Sequence, residues 1–546
     1  MKKTNIVATL ILLFVSTLLH AQSHNEEITV EGTFTPHIKK SERILINPEL
    51  PKHEFNIPDY QVNTKDFFYN YTLDLEPVSP VQYNNISTYD ITNNFVKVGI
   101  GTQLSPDFLF RHYSALSRNT TLGVGVAHNS TWLKMKDYEP NSNYMNNDFS
   151  ISMSNRLPRL QLHSYIDYDY DMYNLSYNPN IMTQDVPNSE RYINSLNAKL
   201  LVNNNETSYK SLYDEFLLDY TFTGIKGGVQ ENLVKFKTHL EHSNSWFRKG
   251  KGIQTLAIDI NADLNYIEQS QFLISVNPYL AFDGEFYNLH LGFRADAKTN
   301  SIDFGGVYPD IKGSLYLFGR NLEFYAGLGG KTKINTLKEI LSENPFIVSD
   351  ITNMSEFDYE KTNIDFKGGL KFKILNKVSA HLGVRYRKIN NYIFYGQPST
   401  FDKLRMFGVY LEDCNVFNFL ADVHVRISDK VKTVADFTYN HFDLFGDLPW
   451  CEPKVEFKLR GLYNYNENWN FNVAAYVEGK RYILYDREVE ELKPICDIQL
   501  GCDYNLNDNL SFYGEVKNLI HNKYQMYYGY PSYGFQMFVG FKYRFL

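Results

Sequence analysis

Past its N-terminus this 546-residue sequence has no apolar run of the roughly 18 residues that a membrane-crossing helix needs, which excludes a helical membrane protein. Positive charge is not in excess either. Fifty-four Lys and Arg face 62 Asp and Glu, for a formal net charge of -8, whereas nucleic-acid-binding domains are usually basic. Cysteine is scarce: Cys414, Cys451, Cys496 and Cys502 all fall late in the chain, and their spacings lack the close pairs of a zinc site. Catalytic signatures are missing as well, with no HExxH, no Walker loop and no G-x-S-x-G elbow. The glycines of Gly327-Leu328-Gly329-Gly330 sit in an alternating strand with no following helix, so they read as strand packing. These absences point away from an enzyme, and no cofactor is expected. What is abundant is aromatic. The 42 Tyr and 39 Phe exceed what a disordered chain carries, although mean hydropathy is -0.37.

The N-terminus reads as an export address. Met1, Lys2 and Lys3 form a positive start, residues 6–19 form an apolar stretch short of a membrane span, and Ala21 offers a small residue for cleavage. Residues 1–21 are therefore expected to be a signal peptide, and residues 22–92 an irregular periplasmic segment broken by Pro48, Pro51, Pro58, Pro77 and Pro80.

From about residue 93 the dominant pattern has a period of two. Between residues 254 and 266, Leu256, Ile258, Ile260, Leu264 and Tyr266 alternate with Thr255, Asp259, Asn261, Asp263 and Asn265. Residues 363–374, 455–463 and 495–506 repeat the pattern, with many full charges on the polar side. Such segments are strands with one apolar and one polar face. A soluble sandwich also alternates, but its strands are usually shorter and its inner face is not studded with charge. Strands of about 10–14 residues with one charged face suit a membrane barrel around an aqueous lumen.

The connections support this. Ten are short: 117–120, 157–159, 203–206, 244–252, 283–284, 319–321, 376–377, 429–432, 467–468 and 507–509. Longer ones, such as 336–359, 396–413, 446–454 and 485–494, lie between them. Ten turns, with a first strand near 94–103 and a last one ending at Leu546, give about 22 strands. The last strand is amphipathic and aromatic: Phe535, Met537, Val539, Phe541, Tyr543 and Phe545 share one parity, Gln536, Lys542 and Arg544 the other. The expected fold is all-β, a transmembrane antiparallel outer-membrane β-barrel over residues 93–546. Outer-membrane lipids and the β-barrel assembly machinery are its implied partners.

A barrel this wide left open would be a leak. Residues 22–92, inward-folding loops such as 336–359, or a second protein must fill it, and residues 336–341 have the apolar spacing of a short loop helix. Candidate lumen-facing charges are Arg385, Arg387, Arg426, Lys542 and Arg544, together with His381 and His424; they either tune the lumen toward anionic solutes or belong to the ordinary charged lining of a wet pore. Cys414 and Cys451, both placed at the outer rim, are a candidate disulfide pair. Cys496 and Cys502 share the lipid-facing parity.

The closing hairpin resembles a known family. Val516-Lys517-Asn518-Leu519-Ile520-His521-Asn522-Lys523-Tyr524, followed by Gly529-Tyr530-Pro531 and Gly534, is similar to the end of TonB-dependent outer-membrane receptors. The resemblance implies a barrel of 22 strands, a place in the bacterial outer membrane and a role in solute uptake. Residues 27–36 resemble the segment in which that family's TonB box leads into its plug domain, with Ile28, Thr29, Val30 and Glu31 as the box-like core. A short extended segment of this kind couples by adding a strand to a partner's sheet edge. The family's plug, however, is well over a hundred residues long, and only residues 22–92 precede this barrel. Two roles follow: uptake, with TonB or a partner lipoprotein, or a structural scaffold that docks partners without transport of its own. The substrate is not legible.

Overall fold

A computed structural model describes residues 94–132, 143–176, 189–204, 212–244, 253–299, 304–349, 359–374, 377–396, 406–444, 448–485 and 488–545. The signal peptide, the segment 22–92 and its Ile28-Thr29-Val30-Glu31 core lie outside the described residues.

Twenty-two strands form one antiparallel sheet in which each strand pairs with its neighbour around the wall. The sheet closes on itself. The first strand, Phe95–Gly101, pairs with the last, Gln536–Arg544, in a register that runs from Phe95 opposite Arg544 to Gly101 opposite Phe538. Closure leaves no row of unpaired backbone groups, a condition for a β-structure in hydrocarbon. Among the described residues no helix is long and apolar enough to cross a membrane, so the crossing falls to the strands.

The period of two dictates which side chains face out. In Ile253–Ile267, Leu256, Leu264 and Tyr266 are about half exposed, while Thr255 and Asn265 on the other parity are buried. The last strand repeats this, with Met537, Val539, Phe541 and Tyr543 outward and Phe538 buried within. Around the wall the outward face is a band of Leu, Ile, Val and Phe. At one end it finishes in exposed aromatics, among them Phe286, Phe318, Tyr465 and Trp469, side chains that suit a membrane–water boundary.

The ten connections expected to be short all gather at that aromatic end. The opposite end carries every long one, but it is not uniformly long: residues 102–104, residues 226–229 and Glu268 alone turn the chain there as tightly as any short turn. Two stretches expected as loop are partly strand. Gly408–Arg426 starts inside the expected loop 396–413, and a two-stranded hairpin, Arg481–Tyr485 with Glu488–Leu492, stands at the loop expected over 485–494. The strands preceding and following residues 334–359 carry register shifts at their upper ends, between Gly329 and Lys331 and between Thr362 and Ile364. Irregularities of this kind bend a wall locally.

Candidate functional site: loops packed across one mouth

The long-loop end is where the apolar core lies. One cluster of buried side chains joins Ile193, Ile225 and Ile267 of the wall to Leu337, Ile340, Leu341 and Ile347 of the connection 334–349, and continues into Phe407, Ile483, Leu492 and Tyr527. The connection 334–349 leaves the thirteenth strand around the wall, Leu322–Lys333. Its partners at Ile193, Ile225 and Ile267 stand on the sixth, seventh and ninth strands, and Phe407, Ile483 and Tyr527 come from three later loops. Contact with both groups requires the segment to run across the mouth of the barrel.

Its helix, Leu337–Glu343, is only seven residues long, too short to persist alone in water. Thr336 caps it by accepting a hydrogen bond from the Glu339 N–H at 3.2 Å, and Leu337, Ile340 and Leu341, spaced three and one apart, form the buried stripe. The decisive contact comes from the wall. Glu231 lies on the inward parity of Gln230–Asn244, opposite the outward Phe236, and has no exposed surface. Its carboxylate accepts the backbone N–H groups of Leu337 at 2.9 Å and Lys338 at 3.2 Å. These donors have no partner inside the helix. A buried carboxylate without such bonds would be strongly unfavourable, so helix and wall residue satisfy each other.

Arg191, on the inward parity of Glu190–Asn204 and 3% exposed, does the same for the other end of the segment. Its guanidinium donates to the carbonyls of Pro345, at 2.8 Å, and Ile347, and to the Ser349 hydroxyl at 2.7 Å. Lys338 adds a looser pair to Asp169 of the fifth strand at 3.8 Å. Backbone bonds continue the closure: Val348 N–H donates to the Phe407 carbonyl, Phe407 N–H to that of Phe346, and Val229 N–H to that of Ser349. Gly228 is required there, because a Cβ at that position would lie 2.6 Å from the Ser349 carbonyl oxygen.

Aromatic rings fill the remaining span. Phe346 stacks on Tyr530 with centroids 3.7 Å apart and meets Tyr173 of the fifth strand edge-on at 5.9 Å. The Tyr395 hydroxyl donates to the Glu343 carboxylate at 2.7 Å, and Tyr527 donates to the Glu343 carbonyl. Burial pushes the Glu343 carboxyl above its ordinary range, and the Tyr395 bond only partly opposes this. Arg481 fixes the neighbouring hairpin, pairing with Glu478 at 2.5 Å and donating to the carbonyls of Gln525, at 2.8 Å, and Met526.

Below these loops the lumen wall is polar, and several of its charges are paired. Arg385 makes two bonds to Asp365, at 2.7 and 2.6 Å. Arg387 donates to Asn418 at 3.3 Å, Lys542 pairs with Asp503 at 2.6 Å, and Arg426 pairs with Asp429 at the short-turn end at 2.6 Å. His381 bridges Asp422, at 2.9 Å, and Tyr325, at 2.6 Å. Arg544 is exposed near the rim. All of these have the inward parity; the carboxylate or amide partners of Arg385, Arg387 and His381 sit on adjacent strands, that of Lys542 lies two strands away, and that of Arg426 lies in the turn that follows it. Among the described residues no three His, Cys, Asp or Glu side chains are grouped to hold a metal ion.

The candidate disulfide is absent, since Cys414 and Cys451 are both free thiols. The strand holding Cys414 begins six residues earlier than expected, at Gly408. Cys414 is therefore part of the inner wall, buried with Ile389, Phe394 and Val416. Cys451 lies against the other cluster, its thiol donating to the Tyr395 carbonyl at 3.4 Å. Sequence reasoning missed Arg191 and Glu231. Both carry the inward parity near a strand end, but nothing in their neighbourhood along the chain announces a partner more than a hundred residues away.

A closed barrel of 22 strands with an apolar outside, a polar inside and long loops folded together at one end is the architecture of outer-membrane receptor barrels. Among solved structures the chain is similar to the ferripyoverdine receptor of the outer membrane of Pseudomonas aeruginosa bound to ferripyoverdine, with a TM-score of 0.62 and 12% identity, covering 83% of this chain and 71% of that one. It is similar also to the ferric-catecholate import receptor Fiu from E. coli K12 in a closed form, with a TM-score of 0.60 and 9% identity over 83% and 82% of the two chains. The copper transporter OprC matches with a TM-score of 0.59 and 12% identity over 83% and 80%. No family profile and no curated protein matches the sequence. The resemblance drawn from the final hairpin thus holds for the whole barrel: its fold is that of the TonB-dependent receptor barrel.

Proposed function

We propose that this chain is a bacterial outer-membrane barrel that acts in solute uptake, reached through a cleaved signal peptide over residues 1–21. The observation that carries the reading is the pairing of a lipid-compatible outer wall with a polar lumen across one mouth of which the chain's own loops pack together. A scaffold needs the outer wall, whereas an uptake route needs a lumen and a means of keeping it shut. The neighbours are named for import of ferric siderophores and for copper transport, and a solute taken up against a closed mouth is the corresponding role here. In this reading Ile28, Thr29, Val30 and Glu31 couple the barrel to TonB by strand addition.

The test is a deletion strain complemented with the full chain or with a chain lacking residues 28–34, followed by mass-spectrometric profiling of solutes left in spent medium. The full chain should deplete solutes that the deletion strain leaves behind. The shortened chain should leave them too while still migrating as a folded barrel on unheated gels. Identical media for all strains, with stable co-purification of partner lipoproteins, would replace uptake by a scaffold role.

A further inference from the structure

Two wall residues direct most of their bonds to a single loop. Glu231 and Arg191 are both charged and at most 3% exposed, and both point into the barrel. The described bonds of Arg191 end on residues 345–349 and on the Met406 sulfur at 3.3 Å. Those of Glu231 end on the first turn of Leu337–Glu343 and, within the wall, on Asn265. Burying one ion at each end of a segment is an inefficient way to stabilise a wall, because apolar side chains of similar volume do as well or better. It is an effective way to give the segment one docked position, since no water-filled intermediate position offers either ion the same partners.

From this we infer that residues 334–349 are the resident barrier of the lumen, held by a two-point latch of Glu231 and Arg191, and that the lumen opens when this latch lets go. The inference rests on the uptake reading only for its purpose; the barrier itself is a property of the barrel. Three features of the fold agree. The segment contacts wall strands on both sides of the mouth. Its helix is held by the wall and not by its own length. Phe346, near the segment's C-terminal end, touches both Tyr530 and Tyr173, so moving one short stretch separates rings that come from opposite parts of the chain.

The experiment uses the full chain, purified and inserted into planar bilayers. It compares the unaltered protein, Arg191→Met, Glu231→Gln, the double variant, and a variant with residues 337–347 replaced by a Gly-Ser linker. The slower migration of heated protein on gels establishes that each barrel is folded, and hydrogen exchange reports whether residues 334–349 stay protected. The unaltered protein should be almost silent and the linker variant should conduct steadily. Each latch variant should raise mean conductance by about tenfold or more, with exchange protection lost over 334–349 and kept in the strands. Equal conductance of the unaltered and linker proteins, whether both open or both silent, overturns the barrier assignment. A conducting linker variant alongside latch variants that behave like the unaltered protein overturns the latch. A confirmed latch in a strain with no uptake phenotype would leave the inference standing and remove the proposed function instead.

Discussion

At the scale of single residues, the packed loops depend on positions whose surroundings permit almost no substitution. Gly228 is one. Its Cα faces the Ser349 carbonyl, and the 2.6 Å that a Cβ would be left with is below any real contact. The obstructing atom is backbone, so Gly228→Ala has to push residues 348–349 away from the wall, weakening the Val229 N–H bond to Ser349. Its expected effect is a loss of exchange protection confined to 334–349 with an unaltered barrel, whereas protection equal to the native chain would contradict the contact. Cysteine gives a second prediction. All four thiols are free, so denatured protein that has never met a reductant should take up four alkyl groups, and two would reveal the disulfide that the structure lacks. In the folded protein burial pushes the Cys451 thiol up to about 12. Almost none of it is thiolate at mildly alkaline pH, and the thiolate is the reactive form, so mass mapping of briefly alkylated folded barrel should find Cys451 unlabelled.

At the scale of elements, strands and helix were unequally legible in the sequence. A strand between lipid and water is written in the chain itself, because its two solvents alternate with its side chains. Leu256 and Thr255 reveal their faces by polarity alone, and the same holds for Phe541 and Lys542. The helix was legible only as a spacing, Leu337 to Leu341, and its docking was not, because Glu231 and Arg191 act through space and not through sequence neighbourhood. The expected loop at 396–413 failed for a related reason. Residues 408–412 lack a clear period of two and are ordered by pairing with residues 392–396. The helix's own prediction concerns pH. Burial raises the Glu343 carboxyl pKa above its unfolded value, so the docked segment binds this proton more tightly than the released one. The corresponding stability is complete below the unfolded pKa and is lost as pH rises from there through the folded pKa. Exchange protection of residues 340–348, corrected for intrinsic rates, should therefore fall from mildly acidic to neutral pH. Glu343→Gln, which keeps an acceptor for Tyr395, should flatten that slope, and an unchanged slope would exclude Glu343 as its source.

At the scale of the whole molecule, stability is a property of the closed ring and not of any one strand. The last strand, Gln536–Arg544, carries two ladders, one to Leu510–Lys517 and one to Phe95–Gly101. A chain ending before Gln536 would present two open edges to hydrocarbon, where each unpaired amide costs several kcal/mol, and no side-chain change elsewhere can compensate for that. Such a chain should give no heat-modifiable species at all. Point changes should be graded by face instead. Phe366 points outward near the middle of Glu360–Ile374 and is 45% exposed, while Lys367 next to it points into the lumen. Phe366→Arg places a charge against lipid, at about 2–4 kcal/mol near the midplane, whereas Lys367→Gln leaves a polar group in a polar lumen. Urea titration in lipid vesicles should show the first variant unfolding well before the native barrel and the second within error of it. The opposite order would turn the wall inside out, and with it the lumen over which residues 334–349, 481–485, 488–492 and 525–530 pack.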